Sequence, residues 1–227
     1  MDVMAQAAAE FAAAAPFPHI VLRDYWDSSM LRQVAAECDA FVNWDGEKKF
    51  FGSVGKRFCG TRAKLPPATL GLIDFCSTPE FLGFLEQLTS IDALIPDPYL
   101  FGGGIHSTIN QGFLKMHADF NWHNKLQLYR RLNVLIYLNP NWDPAWGGDL
   151  RLARSLDQGL RVEQAIFPEF NTMVVFNTTD SSFHGHPDPM QLPDGMARNS
   201  IALYYYTAAA PTNSSAQKRT DTDYRFS

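Results

Sequence analysis

The chain predicts a mainly β fold with an added α layer, and three observations carry that expectation. From about Tyr99 onward it is a succession of short apolar runs, "YLFGGGIHSTI", "GFLKMHADF", "LNVLIYLN", "GGDLRLA", "RVEQAIFP", "TMVVFN" and "SIALYYYT", broken by Gly, Pro, Asn and Asp. Seven or so short strands with turn chemistry between them read as a sandwich or barrel. Before Tyr99 the apolar periodicity is helical instead, and 227 residues with 46% hydrophobic content suffice for one sizeable core. The expected organisation is one domain over 1–227: helical support over about 1–98, a β core over about 99–210, and a polar, loosely held tail over 211–227.

Taken in order, "MDVMAQAAAEFAAAAP" is alanine-rich but carries Asp2 and Glu10 and lacks a basic leading region, so it reads as a helix or frayed tail and not as a signal peptide. "HIVLRDYW" reads as a strand. "DSSMLRQVAAECDAFV" reads as an amphipathic helix capped by Asp27 or Ser28, whose side-chain oxygen can accept from a free N–H of the first turn. A second helix is expected from near Pro66 through "ATLGLIDFCS" and a third over "PEFLGFLEQLTSI", with Pro79 in its first turn, where the missing N–H costs nothing. No internal repeat is present.

A formal charge of −5 and a pI near 5.6 supply no overall basic field, which argues against a nucleic-acid partner. No run approaches the roughly 18 apolar residues of a spanning helix, so no membrane partner is expected. Cys38, Cys59 and Cys76 are odd in number, widely spaced and without a CxxC, so neither a disulfide framework nor a thiolate zinc site is suggested. A reducing cytoplasm is the expected location. The sequence carries no signal for an oligomeric state.

The chemistry is concentrated around "KMHADFNWHN". Side chains two apart on a strand share a face, so His117 and Asp119 can converge on one ion. Two imidazoles and a carboxylate can hold one face of an octahedral iron(II) and leave the opposite positions open. "SSFHGHPDP" offers His184 and His186 as the third ligand. Downstream, "RNSIALYYYT" places Arg198 and Ser200 on one face of a strand, where a guanidinium fork and a hydroxyl can clamp a small dicarboxylate.

The order His-x-Asp, "RRLNVLIYLNPNW", "GGDLRL", "FHGH" and Arg-x-Ser, spread over roughly Gly102 to Thr207, resembles the 2-oxoglutarate- and iron(II)-dependent oxygenases of the prolyl 4-hydroxylase-like superfamily. The resemblance implies a double-stranded β-helix, or jelly-roll, core. It implies iron on His117, Asp119 and the distal histidine, Arg198 on the far carboxylate of 2-oxoglutarate, Tyr137 adding a hydrogen bond there, and Ser200 as the small polar partner. Arg198 lies 14 residues after His184 and 12 after His186, where the family usually spaces the pair by about ten. His184 is preferred because it follows a Ser-Phe dipeptide, with His186 as the alternative. The cofactor set implied is Fe(II), 2-oxoglutarate as co-substrate and O2, with room for ascorbate. The activity implied is a dioxygenase that hydroxylates an unactivated C–H bond and releases succinate and carbon dioxide. A small metabolite or amino-acid-like substrate is favoured over a peptidyl, prolyl-type one, because no peptide-binding module is appended. A zinc hydrolase on the same ligands and a non-catalytic jelly-roll binding protein are the rivals from other classes.

Several residues carry ordinary readings. His106 and His123 are expected in solvated loops, with reach to the substrate as the alternative, and Trp142 and Trp146 as packing for a strand-to-strand turn rather than contacts to substrate. The Gly102–Gly104 run is expected to let backbone approach the substrate or to act as a hinge. The stretch "KKFFGSVGKRFCGTRAK" from Lys48 to Lys64 is expected to be a solvated charged loop, its alternative being a basic rim or lid.

Overall fold

The structure is a computed structural model and describes residues 2–211 and 217–225. In chain order the elements are α1 (Val3–Ala13), β1 (His19–Arg23), α2 (Ser28–Asp39), β2 (Gly46–Phe50), β3 (Ser53–Cys59), α3 (Pro67–Phe75), α4 (Pro79–Thr89), β4 (Ile95–Pro96), β5 (Gly104–Ala118), β6 (Trp122–His123), β7 (Leu128–Tyr137), β8 (Leu150–Leu156), β9 (Gly159–Ile166), β10 (Thr172–Asn177), β11 (Phe183–His186), β12 (Ala197–Thr207) and β13 (Asp223–Tyr224). Hydrogen bonding orders the main strands β1-β10-β7-β12-β5-β11-β8-β9, with every strand pairing antiparallel. This is the curled sheet of a jelly roll, as expected.

The helices form where the expected caps and stripes put them. Asp27 accepts from the Met30 amide at 2.8 Å and starts α2, whose Leu31, Val34, Ala35 and Cys38 form a buried stripe at helical spacing. Pro79 sits in the first turn of α4, capped by Thr78, and Phe81, Leu85 and Leu88 face inward.

Strand parity then divides the sheet into two faces. Cys59, Ile105, Ile201, Ile136, Met173 and Leu22 lie directly opposite one another across β3, β5, β12, β7, β10 and β1. That apolar row packs on the helices in the main core. Each fully buried aliphatic side chain in it contributes about 1.5–3 kcal/mol. Rows of the opposite parity face the other way: Phe58, His106, Ser200 and Tyr137 form the adjacent one, of mixed polarity, and Lys56, Thr108 and Arg198 form the next on that face, polar throughout. Alternation thus gives one side of the sheet to stability and the other to a cavity.

"YLFGGGIHSTI" and "GFLKMHADF" read as two strands, but they fuse into the 15-residue β5. Its first half pairs with β12 and β3, and its second half with the start of β3 and with β11 and β13. Gln111, at φ 62°, bends the strand between the two regimes, so one strand walls the cavity on two sides. Gly104 (φ 88°) belongs here by necessity, because a Cβ would fall 2.1 Å from the Cys59 carbonyl oxygen. Gly104 therefore serves the approach of β3 to β5, while Gly102 lines the cavity, in keeping with the expected approach of backbone to the substrate.

Two further expectations change. The Lys48–Lys64 stretch is no solvated loop: β2 and β3 form a hairpin that continues the sheet through β3 and β5. Its lysines and arginines made it read as solvent-facing, whereas Ser53 and Cys59 at the two ends of β3 are fully buried. The tail is not loose over its described part either, since Asp223 pairs with Ala118 and Tyr224 with His117; residues 212–216 and 226–227 lie outside the description. No helix among the described residues is long and apolar enough to cross a membrane.

Candidate metal centre and active-site cavity

His117 stands near the end of β5 and Asp119 just past it, while His184 is the residue of β11 directly opposite His117. One ligand atom from each lies within 4.8 Å of the others, and this is the group among the described residues that could hold a metal. His117 Nε2 is 3.6 Å from Asp119 Oδ1, and His184 Nε2 is 3.4 Å from Asp119 Oδ2.

Tautomers follow from the second nitrogen of each ring. His117 Nδ1 lies 2.8 Å from the Lys115 carbonyl oxygen and His184 Nδ1 3.0 Å from that of Ser182. A carbonyl can only accept, so both Nδ1 atoms carry the proton and both Nε2 lone pairs point to the common centre. Burial, then the neighbouring His184, pushes the His117 imidazole down to about 3, and burial lowers His184 as well. Both rings are therefore neutral, the form a metal requires.

Asp119 stays ionised. Burial would raise its carboxyl, but the Arg130 guanidinium, helped by the hydrogen bond from Asn133, outweighs burial and holds it well below the usual carboxylate range. Arg130 Nη2 and Asn133 Nδ2 each donate to Oδ2 at 2.8 Å. The guanidinium is buried, with its carbon 3.5 Å from the Tyr204 ring centroid. Sequence reasoning missed Arg130 and Asn133, although both stand in the "RRLN" block it singled out.

Arg198 projects into the same cavity. Its Nε donates to the Gly148 carbonyl oxygen at 2.7 Å and its Nη2 to the Tyr137 hydroxyl at 3.1 Å. Ser200, His106 and Thr108 line the wall beside it. Tyr137 is fully buried, touching Arg198 from behind. His186 also lines the cavity, but a shift of register after His184 sets it opposite Leu114, outside the metal-capable group. Gly185 makes the shift possible, since a Cβ there would meet the Leu114 carbonyl oxygen at 2.7 Å.

The cavity, of about 400 Å³, is walled also by Lys48, Lys56 and Phe58 from the hairpin and by Thr220, Asp221, Thr222 and Tyr224 from the C-terminal segment. Arg219 fastens that segment by donating to the Ala118 and Asp119 carbonyl oxygens at 3.0 and 2.7 Å. His106 and His123 are buried, contrary to expectation: His106 bonds the Gly102 carbonyl oxygen at 3.0 Å, and His123 packs on Phe101 and Tyr206. Inward alternation along β5 and the aromatic surroundings of β6 were the available signals. Trp142 and Trp146 do pack a turn, 5.5 Å apart, with Met190 and Leu192.

The donor set fits iron(II): two neutral imidazoles and one carboxylate, each oriented by a partner behind it. Residues 103–206 match the model of the 2OG-Fe(II) oxygenase superfamily. By sequence, no curated protein is a match. Among solved structures, the chain is similar to a prolyl-4-hydroxylase of Pseudomonas putida (19% identity, TM-score 0.62, covering 89% of this chain and 98% of that one). It is also similar to a prolyl hydroxylase from Trichoplax adhaerens in complex with a hypoxia inducible factor oxygen degradation domain peptide fragment (16%, TM-score 0.62, 89% and 88%). A third is HygX from Streptomyces hygroscopicus with nickel, 2-oxoglutarate and hygromycin B bound (12%, TM-score 0.56, 91% and 93%). At these identities the likeness is one of fold.

Proposed function

We propose that the protein is an iron(II)- and 2-oxoglutarate-dependent dioxygenase hydroxylating an unactivated C–H bond of a small metabolite or amino-acid-like molecule, a reading supported by the match of residues 103–206 to the model of the 2OG-Fe(II) oxygenase superfamily. The observation that carries the reading is the convergence of His117, Asp119 and His184 within 4.8 Å in a cavity that also holds the Arg198 guanidinium.

His117 and His184 offer Nε2, and the carbonyl oxygens of Lys115 and Ser182 fix their rings. Asp119 supplies the negative charge, and Arg130 and Asn133 hold its carboxylate in plane. The metal and keto acid, when bound, supply an oxidative decarboxylation to succinate and carbon dioxide coupled to insertion of one oxygen atom into a C–H bond. Arg198 takes the far carboxylate of the keto acid through its remaining N–H donors, with Ser200 alongside. Tyr137 is a positioning residue: its hydroxyl accepts from Arg198, and so sets the guanidinium plane. The β2–β3 hairpin and residues 220–224 exclude water from the reacting carbon.

The walls on those two sides support a small substrate over a peptide, since the cavity of about 400 Å³ must take the keto acid as well. A single assay tests the reading. Metal-stripped protein is given iron(II) or zinc(II) with 2-oxoglutarate under air, and succinate is measured with pooled small metabolites and, separately, with pooled peptides. Iron-dependent succinate stimulated by the metabolite pool is expected. Absence of iron-dependent succinate in every arm rejects the dioxygenase, and stimulation by peptides alone rejects the small substrate in favour of a peptidyl hydroxylase.

A further inference from the structure

Lys48 and Lys56 are direct cross-strand neighbours on the β2–β3 hairpin, and both side chains line the active-site cavity. Like charges directly opposite one another in an antiparallel pair repel and destabilise it. The hairpin could have relieved the repulsion with an acid, as its third lysine does: Lys49 pairs with Glu47. Among the described residues neither Lys48 nor Lys56 is in an ion pair, and after burial Lys48 is the largest influence that disfavours the charge on Lys56. Asp221 enters the same cavity from the C-terminal segment and forms no ion pair with either lysine.

The other cations of the cavity are already engaged. Arg130 is bound to Asp119. Arg198, in register with Lys56 through Thr108, is the group that takes the keto acid in the reading above. Two lysines outside any ion pair therefore remain, Lys48 exposed and Lys56 deeper on the same wall, where burial and then Lys48 lower its amine to about 7, so that an anion placed between them would draw it back to the charged form. They are compact point charges on flexible stems, able to close on an anion without the planar match a guanidinium requires.

We propose that Lys48 and Lys56 form an anion subsite for the primary substrate, which therefore carries a carboxylate or phosphate-type group besides the carbon that is oxidised. The proposal rests on the dioxygenase reading for the word substrate, but the subsite itself is a property of the hairpin. An anion between the two ammonium groups turns the repulsive pair into a bridge, so binding also fastens the hairpin over the cavity.

Calorimetric titration tests this on the full chain loaded with manganese(II) and saturating 2-oxoglutarate under nitrogen, at constant ionic strength. The probes are inorganic sulfate and, separately, acetate. Saturable binding of at least one is expected, weakened about tenfold or more by Lys48→Gln combined with Lys56→Gln, and unchanged in Lys49→Gln. Lys48→Glu places an acid opposite Lys56: it is expected to abolish sulfate binding and to raise the melting temperature of the ligand-free protein, a pairing of effects that a purely structural lysine would not give. No saturable binding of either probe overturns the subsite. So does binding indifferent to Lys48→Gln/Lys56→Gln, or a Lys56→Gln loss of 2-oxoglutarate affinity as large as that of Arg198→Gln, which would assign Lys56 to the keto acid. The first injections, of 2-oxoglutarate into the manganese protein, separate the two levels: failure there rejects the dioxygenase reading, and success there without anion binding rejects the subsite alone.

Discussion

The Arg130 guanidinium lies 2.8 Å from the Asp119 carboxylate and is itself almost wholly buried, so the one acid of the candidate metal centre is held by a cation shielded from bulk water. Arg130 reaches that position through a slip in the ladder. Tyr205 pairs with Leu132 and Tyr206 with Arg130, leaving Arg131 as one extra residue in β7. The extra residue turns Arg130 away from the face on which Leu132 meets the helices.

Removing Arg130 should therefore cost more than a contact. Arg130→Met is expected to destabilise the fold by about 3–5 kcal/mol, because the buried Asp119 charge loses its partner. Combining Arg130→Met with Asp119→Asn should recover part of that loss, and urea denaturation of both variants checks it. Metal affinity should fall in Arg130→Met even where the protein remains folded.

The two histidines of β11 should separate cleanly. His184→Ala is expected to abolish retention of one metal per chain, whereas His186→Ala should retain it, since its ring stands opposite Leu114 and outside the metal-capable group. Metal content after desalting measures both. Retention in His184→Ala with loss in His186→Ala would reverse the assignment.

Arg198 and Tyr137 should differ in degree. Arg198→Gln is expected to keep the metal and weaken 2-oxoglutarate by about 10- to 100-fold, the worth of a charge-assisted contact. Tyr137→Phe removes one neutral partner of that guanidinium and should weaken it by about threefold to tenfold. The apparent KM for 2-oxoglutarate reads both, with melting temperature as the control.

Acidification should destabilise the metal-free protein. His117 and His184 titrate in the unfolded chain near 6.5, but burial lowers both in the folded state, His117 to about 3. Between those values the unfolded state binds protons that the folded state refuses, so stability is present above about pH 6.5 and is lost as pH falls toward 3, by up to about 1.4 kcal/mol per pH unit for each ring. Melting temperatures from pH 7 to pH 5 should fall in the metal-free wild type and fall less in His117→Asn.

How much of this was legible in the sequence depended on whether the signal was local. The β texture, the α2 cap at Asp27 and the helical stripes of α2 and α4 follow from period and capping alone. His117 and Asp119 were visible as a pair because alternation is a local rule, and the order of the later blocks supplied His184 and Arg198. Arg130 was hidden by a ladder irregularity, and simple parity would have sent it to the helix side. His106 and His123 looked solvated because the neighbouring glycines and asparagines resemble loop, whereas their burial is decided by strands distant in sequence. The hairpin of Lys48 and Lys56 was masked by its charge, which composition assigns to solvent. Residues 217–225 gave no apolar pattern, and their place is set by Arg219 reaching the Ala118 and Asp119 carbonyl oxygens.

One consequence follows from the course of β5. From Gly104 to Ile109 it is flanked by β12 and β3, and near its end by β11 and β13. The strand bearing His117 thus has its main-chain donors and acceptors spoken for on both edges in those two stretches. An incoming molecule finds no open ladder to extend, and a polypeptide cannot be read there by strand addition. Selectivity must come from the tips of side chains, which makes the identity of what is admitted adjustable one residue at a time.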